Sequence, residues 1–164
     1  MKTALLATLA ALAAITGPIW AQENSQMTPV QQNSTMTHVK KMTPNLYTDD
    51  VAACVRFWVD RLHFEKTMEV KEGNNLAFAA LQKGPIELMY GSYTSLQADP
   101  KTASAFHRGT SSLFIEVDDV ESAFQALQGA PLVSPLHKTF YGSTEFTVTD
   151  PAGHLLTFAQ FPKQ

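Results

Sequence analysis

The chain has 164 residues, 45% of them hydrophobic and 16% charged, with a formal net charge of −3. This length suits one domain or two fused half-domains. The mild acidity argues against nucleic acid as a partner, which needs a basic footprint, and a lone cysteine, Cys54, rules out an intramolecular disulfide.

The first segment reads as an export leader. Met1-Lys2 is a short basic start, Ala4 to Ile15 is an Ala/Leu run broken only by Thr8, and Gly17-Pro18 ends it. Ala21 before Gln22 supplies a cleavage point, which makes residues 1–21 a signal peptide of a periplasmic or secreted protein. The apolar run is short for a membrane span, so no membrane association is expected after cleavage; an uncleaved N-terminal anchor is the alternative. Residues 22–38, rich in Gln, Ser, Thr and Asn, have little to bury and read as a disordered tether.

A domain over 39–164 follows. Strand signals cover 39–47, 65–71, 75–82 and 85–90, with a helix over 50–62 and turns at Gly73-Asn74-Asn75 and Lys83-Gly84-Pro85. A long connection, 91–110, leaves room for a short helix between Ser95 and Phe106. The second half repeats the order: strand 111–117, helix 119–128, then strands 131–139, 143–149 and 154–160. Asp150-Pro151-Ala152-Gly153 has the residue choices of a type I turn. Val51, Cys54, Val55, Trp58 and Leu62 recur at helical spacing, as do Val120, Ala123, Phe124 and Leu127, so each helix carries a core stripe. Asp50 and Asp119 precede these stripes as N-caps. Cys54 within the first stripe reads as a buried, inert thiol.

The two halves share a sequence signature. Leu46-Tyr47-Thr48-Asp49-Asp50-Val51-Ala52-Ala53 returns as Ile115-Glu116-Val117-Asp118-Asp119-Val120-Glu121-Ser122. Each copy is a strand, an Asp-Asp helix start and an amphipathic helix, so the domain divides into modules 39–90 and 111–161. Alternation then sorts the faces. Leu113, Ile115 and Val117 are expected against the second helix, with Ser112, Phe114 and Glu116 opposite. Likewise Ile86, Leu88 and Tyr90 oppose Glu87 and Met89, and Leu156 and Phe158 oppose Thr157. The mixed face has the composition of a ligand groove.

The βαβββ repeat, Phe57-Trp58-Val59-Asp60-Arg61-Leu62, and Glu145-Phe146-Thr147-Val148-Thr149-Asp150-Pro151-Ala152-Gly153 together resemble the vicinal oxygen chelate superfamily. This group includes glyoxalases, extradiol dioxygenases and bleomycin resistance proteins, and the resemblance is nearest to the bleomycin-binding type. It covers about residues 39–161. It implies an α+β fold of two βαβββ modules curled around a groove, and a homodimer. The family usually has Gly where this chain has His63, which is expected as a tolerated turn residue. Metal-dependent members carry one His or Glu on each of four inward strands; the matching positions here are Thr43, Glu87, Ser112 and Thr157. Neutral hydroxyls are poor donors for a divalent transition metal, so no metal and no cofactor are expected. The histidines show no regular ligand spacing.

The expected function is metal-independent binding of an amphipathic small molecule or antibiotic. Asn45, Tyr47, Glu87, Met89, Ser112, Phe114, Glu116 and Thr157 form the expected binding set. Bleomycin itself is a poor fit, because it acts on DNA inside cells. One alternative is a lyase or isomerase with Glu87 as base, opposite Glu116. The other is a structural or interaction module whose groove a partner fills.

Overall fold

A computed structural model describes residues 38–163; the proposed leader and almost all of the tether lie outside them. Twelve elements follow in chain order: β1 (Asn45–Thr48), α1 (Val51–Leu62), β2 (Glu65–Glu72), β3 (Asn75–Lys83), β4 (Ile86–Ser92), α2 (Tyr93–Leu96), α3 (Pro100–Ala105), β5 (Ser112–Glu116), α4 (Val120–Ala126), β6 (Leu132–Lys138), β7 (Thr144–Thr149) and β8 (Leu155–Gln160). The connection thus holds two short helices where one was expected.

The modules build matching four-stranded mixed sheets, in the orders β1-β4-β3-β2 and β5-β8-β7-β6. In each, the first strand pairs parallel with the last, and the remaining pairs are antiparallel. This is the expected α+β arrangement. The sheets are separate: β1 and β5 each end a sheet and do not pair with one another.

Local chemistry sets the boundaries. Asp50 and Asp119 cap their helices as expected, accepting from the Ala53 and Ser122 N–H groups at 2.9 Å each. α1 ends at His63 in the left-handed region, φ 56°, whose N–H reaches the Val59 carbonyl at 3.1 Å. A non-Gly residue there costs about 1 kcal/mol, which the buried helix tolerates. β1 starts at Asn45, later than the expected 39, because Pro44 has no N–H to extend the ladder; its carbonyl still accepts from Met89 at 2.9 Å. β4 runs on through Gly91 and Ser92, which pair with Tyr47 and Thr48. Gly153 N–H closes the Asp150 turn at 3.0 Å. Pro135 sits in β6, an edge strand, where no ladder bond is lost.

A single hydrophobic cluster spans both modules, from Leu46, Val51, Cys54 and Trp58 to Phe146, Val148, Leu156 and Phe158. α1 lies over β3 and β4, and α4 over β7 and β8. A buried polar chain crosses the junction. Trp58 Nε1 donates to the Tyr90 hydroxyl at 2.9 Å, and that hydroxyl donates to Asp150 Oδ2 at 2.5 Å. Asp150 Oδ1 accepts from the Ala152 and His154 N–H groups at 2.9 and 2.8 Å. The buried His154 ring accepts from Ser111 N–H at Nδ1, 3.1 Å, so its Nε2–H points to the Tyr47 carbonyl, 3.2 Å away. Arg61 of α1 donates to the Gln128 carbonyl beyond α4 at 2.7 Å. Among the described residues no helix is long and apolar enough to cross a membrane.

Candidate ligand-binding cleft

Alternation places the expected binding residues as anticipated with respect to face. Asn45 and Tyr47 lie opposite the buried Leu46 and Thr48, and Glu87 and Met89 opposite the buried Leu88 and Tyr90. On the second sheet Ser112, Phe114 and Glu116 are exposed, and Phe114 and Glu116 neighbour Thr157 and Ala159 on β8. These residues therefore divide between two separate sheets. Only Glu87, Phe114 and Glu116 come together in one depression, and Asn45, Tyr47, Met89, Ser112 and Thr157 stand outside it.

That depression, about 420 Å³, lies where the start of β4 and the segment before β1 approach the open edge of β5. Met42, Pro44, Trp58, Phe64, Ile86 and Leu113 are among its walls. A second hollow of about 540 Å³ shares Trp58, Phe64, Ile86, Ile115 and Glu116 with it and adds Leu62, Val117 and Phe158. The two read as one intermodule cleft of a size that suits a small organic molecule. Leu113, Ile115 and Val117 lie on the helix side of their sheet, Leu113 and Ile115 in register with the buried Leu156 and Phe158 and all three packed against the shared core, but α4 is only seven residues long and lies mainly over β7 and β8. The inner face of β5 is left half-buried and becomes a cleft wall.

Glu87 is fixed by two donors. Lys41 Nζ reaches Oε2 at 2.5 Å and the Thr43 hydroxyl reaches Oε1 at 3.2 Å, while the Glu87 side chain keeps 16% of its exposure. The Lys41 hydrogen bond, more than any other contact, holds the carboxyl below the usual carboxylate range, against a smaller opposing effect of desolvation.

The positions where metal-dependent relatives carry ligands do not fit a transition metal. Thr43 is bonded to Glu87, Thr157 meets the Thr147 hydroxyl at 3.0 Å, and Ser112 is an exposed hydroxyl. Among the described residues no three His, Cys, Asp or Glu side chains gather as a metal site would require.

Tyr47, expected as stacking surface for a ligand, is already covered. Its ring meets Phe106 edge-on at 4.8 Å and stacks with Tyr93 at 6.2 Å. Arg108 then lies over Tyr93, 3.9 Å from the ring centre, and pairs with Asp49 at 3.2 Å. The connection thereby closes this end of the first sheet. Gly91 makes the arrangement possible, since a Cβ there would stand 2.9 Å from Tyr47 Cε1.

Sequence reasoning overlooked the cleft walls Trp58, Phe64 and Ile86. Trp58 sat within the α1 stripe and read as ordinary core. Its indole N–H was the available signal, because a buried tryptophan needs an acceptor. Glu145 was also missed as a buried carboxylate; it accepts from Ser143 at 2.6 Å and Tyr141 at 2.7 Å. Cys54 is as inert as expected: burial, helped by the Asp150 charge, pushes its thiol up to about 12.

The family model of the glyoxalase/bleomycin resistance protein/dioxygenase superfamily matches residues 35–158. No curated protein matches the chain. Solved structures share the fold. TioX from Micromonospora sp. ML1 is 24% identical with a TM-score of 0.63, over 76% of this chain and 100% of its own. A lactoylglutathione lyase from Agrobacterium tumefaciens is 18% identical with a TM-score of 0.61, over 76% and 95%. A bleomycin-binding protein complexed with bleomycin is 22% identical with a TM-score of 0.53, over 76% and 100%. At these identities the likeness speaks to the fold.

Proposed function

The chain belongs to the glyoxalase/bleomycin resistance protein/dioxygenase superfamily, and from that premise we propose that it binds an amphipathic small molecule without a metal ion, in the cleft between its modules. The observation that carries the reading is the cleft itself: apolar walls around Trp58 and Phe64, with Glu87 and Glu116 at its edges. Greasy walls with a few fixed polar groups suit recognition of a molecule that has both characters. Binding without turnover is the favoured reading because Glu87, the candidate base, is already engaged by Lys41 and Thr43. The bleomycin-binding relative lends support, as a ligand-holding protein on the same fold.

The proposal includes export and cleavage after Ala21, supported by the basic start and the Ala/Leu run. It also includes a homodimer, supported by the outer edge strands β2 and β6, whose unpaired edges a second copy would cover. Native mass spectrometry of protein purified from its own host, with elemental analysis of the same sample, tests the central claim. The expected result is a bound organic mass and no stoichiometric metal. A tightly held ion lost in Glu87→Ala would overturn it.

A further inference from the structure

We propose that residues 97–110 are a hinged lid over an aromatic platform on the first sheet, and that Phe106 is a placeholder there for a flat aromatic ring of a ligand. The platform is separate from the intermodule cleft, whose walls do not include Tyr47, and neither reading depends on the other. It consists of Tyr47 and Tyr93, ring centres 6.2 Å apart with planes 26° from parallel. The Tyr47 ring lies on the bare backbone of Gly91, its register partner in β4, and its hydroxyl accepts from Asn45 Nδ2 at 3.2 Å. Its orientation is therefore set by its own strands, not by what covers it. Phe106 supplies that cover edge-on at 4.8 Å and stays 37% exposed while doing so.

The covering segment is stiff within and weakly held beneath. Asp99 caps α3, accepting from the Thr102 hydroxyl at 2.6 Å, Pro100 opens the helix, and the Phe106 N–H closes on the Thr102 carbonyl at 3.0 Å. Phe106 is thus carried by a preformed unit. No residue from 97 to 112 is buried. Besides the Phe106 ring, Arg108 fastens the segment, lying over Tyr93 at 3.9 Å and pairing with Asp49 at 3.2 Å. Exposed ion pairs and single aromatic contacts are each weak, so a segment held by them opens far more readily than the domain unfolds. Its two ends are fixed: Leu96 is buried, and Ser111 N–H donates to His154 Nδ1 at 3.1 Å. Gly109, with open space where a side chain would stand, supplies a bend beside the second end. A stiff unit between fixed ends moves as a body. Opening bares both tyrosine rings, and a free flat ring can lie parallel to Tyr47, which the tethered Phe106 does not.

Trypsin cleavage of the full chain after Lys101, inside α3, followed by mass spectrometry, reads the opening, and 2-naphthol serves as the aromatic probe. A ring that displaces the lid should speed this cleavage, by about threefold at saturation, whereas ordinary ligand binding slows proteolysis. Asp49→Ala should speed it by about threefold without the probe, at an unchanged thermal midpoint. Phe106→Ala removes the competitor and should tighten 2-naphthol binding in calorimetry by about fivefold, the worth of one aromatic contact. Tyr47→Ala should abolish both binding and acceleration, with its circular dichroism spectrum checking the fold; Phe106 is exposed, so its variant carries the test if Tyr47→Ala misfolds. No binding to Phe106→Ala, no gain in affinity there, or cleavage that 2-naphthol fails to speed would overturn the placeholder. Cleavage after Lys101 that follows global unfolding in every variant would overturn the lid. The bound mass sought in protein from its own host tests the cleft separately.

Discussion

Tyr90 and Asp150 are joined across the two modules by a hydrogen bond of 2.5 Å between buried groups. Burial first, and then the Asp150 charge, raises the Tyr90 phenol well above its ordinary value. The phenol therefore remains the donor throughout the physiological range. Tyr90→Phe leaves both the Trp58 N–H and Asp150 Oδ2 without their partner. The expected loss is about 2–4 kcal/mol, since unsatisfied buried groups cost about 1–3 kcal/mol each and more when charged. Urea unfolding measures it; a change under 1 kcal/mol, about that of one ordinary hydrogen bond, would show that the link is dispensable.

Glu87 should titrate below the usual carboxylate range in the native protein and return towards it in Lys41→Met. A carboxyl depressed on folding contributes stability that is present above its unfolded pKa and fades as pH falls through the folded one. The pair should accordingly weaken only in the acid range. Carbon-13 NMR of the Glu87 carboxyl against pH follows this directly. An unchanged midpoint in Lys41→Met would remove Lys41 as the cause.

Gly91→Ala should destabilise by about 1–3 kcal/mol, as overpacking does, because the new methyl meets the Tyr47 ring. The ring would have to leave Phe106 to relieve the contact. Tyr47→Ala in the same chain should remove most of the Gly91→Ala penalty. A double-mutant cycle by thermal unfolding gives the coupling, and additive effects would contradict the contact.

Ile115→Ala should cost about 1–2 kcal/mol, less than the 2–5 kcal/mol of a fully buried site, because the side chain borders an open cleft. Glu116→Ala, exposed and without a side-chain partner among the described residues, should lie within about 0.5 kcal/mol of the parent. Urea unfolding of both variants checks the facing of β5. If Glu116→Ala unfolds the protein and Ile115→Ala does not, the strand is reversed and the cleft assignment fails.

N-terminal sequencing of the periplasmic or secreted fraction should begin at Gln22. Intact Met1 recovered from the cytosol would refute export.

The periodicities in the chain identified what depends on neighbours in sequence. Alternation in β4, β5 and β8 sorted faces, and the Asp-Asp starts located both helix caps, because those interactions close within a few residues. The cleft was not legible in the same way. It exists because α4 stops at Ala126 and rests on β7 and β8, a matter of which strand a helix covers. The partnership of Lys41 with Glu87 and the covering of Tyr47 by Phe106 join segments distant in sequence. No local pattern records such pairings.

The helix α3 has no buried residue, and the chain is fastened on both sides of it, by Tyr93 against Tyr47 and by Arg108 on Asp49. The modules are meanwhile joined by their shared core and by the Tyr90 and His154 bonds. The peptide link through Pro100–Ala105 thus supplies proximity and no packing of its own, so its contribution is a local concentration of one half near the other. Cutting there would leave two fragments that still share the core and the Tyr90–Asp150 and His154–Tyr47 bonds. The molecule is, in that sense, a heterodimer that happens to be translated as one polypeptide.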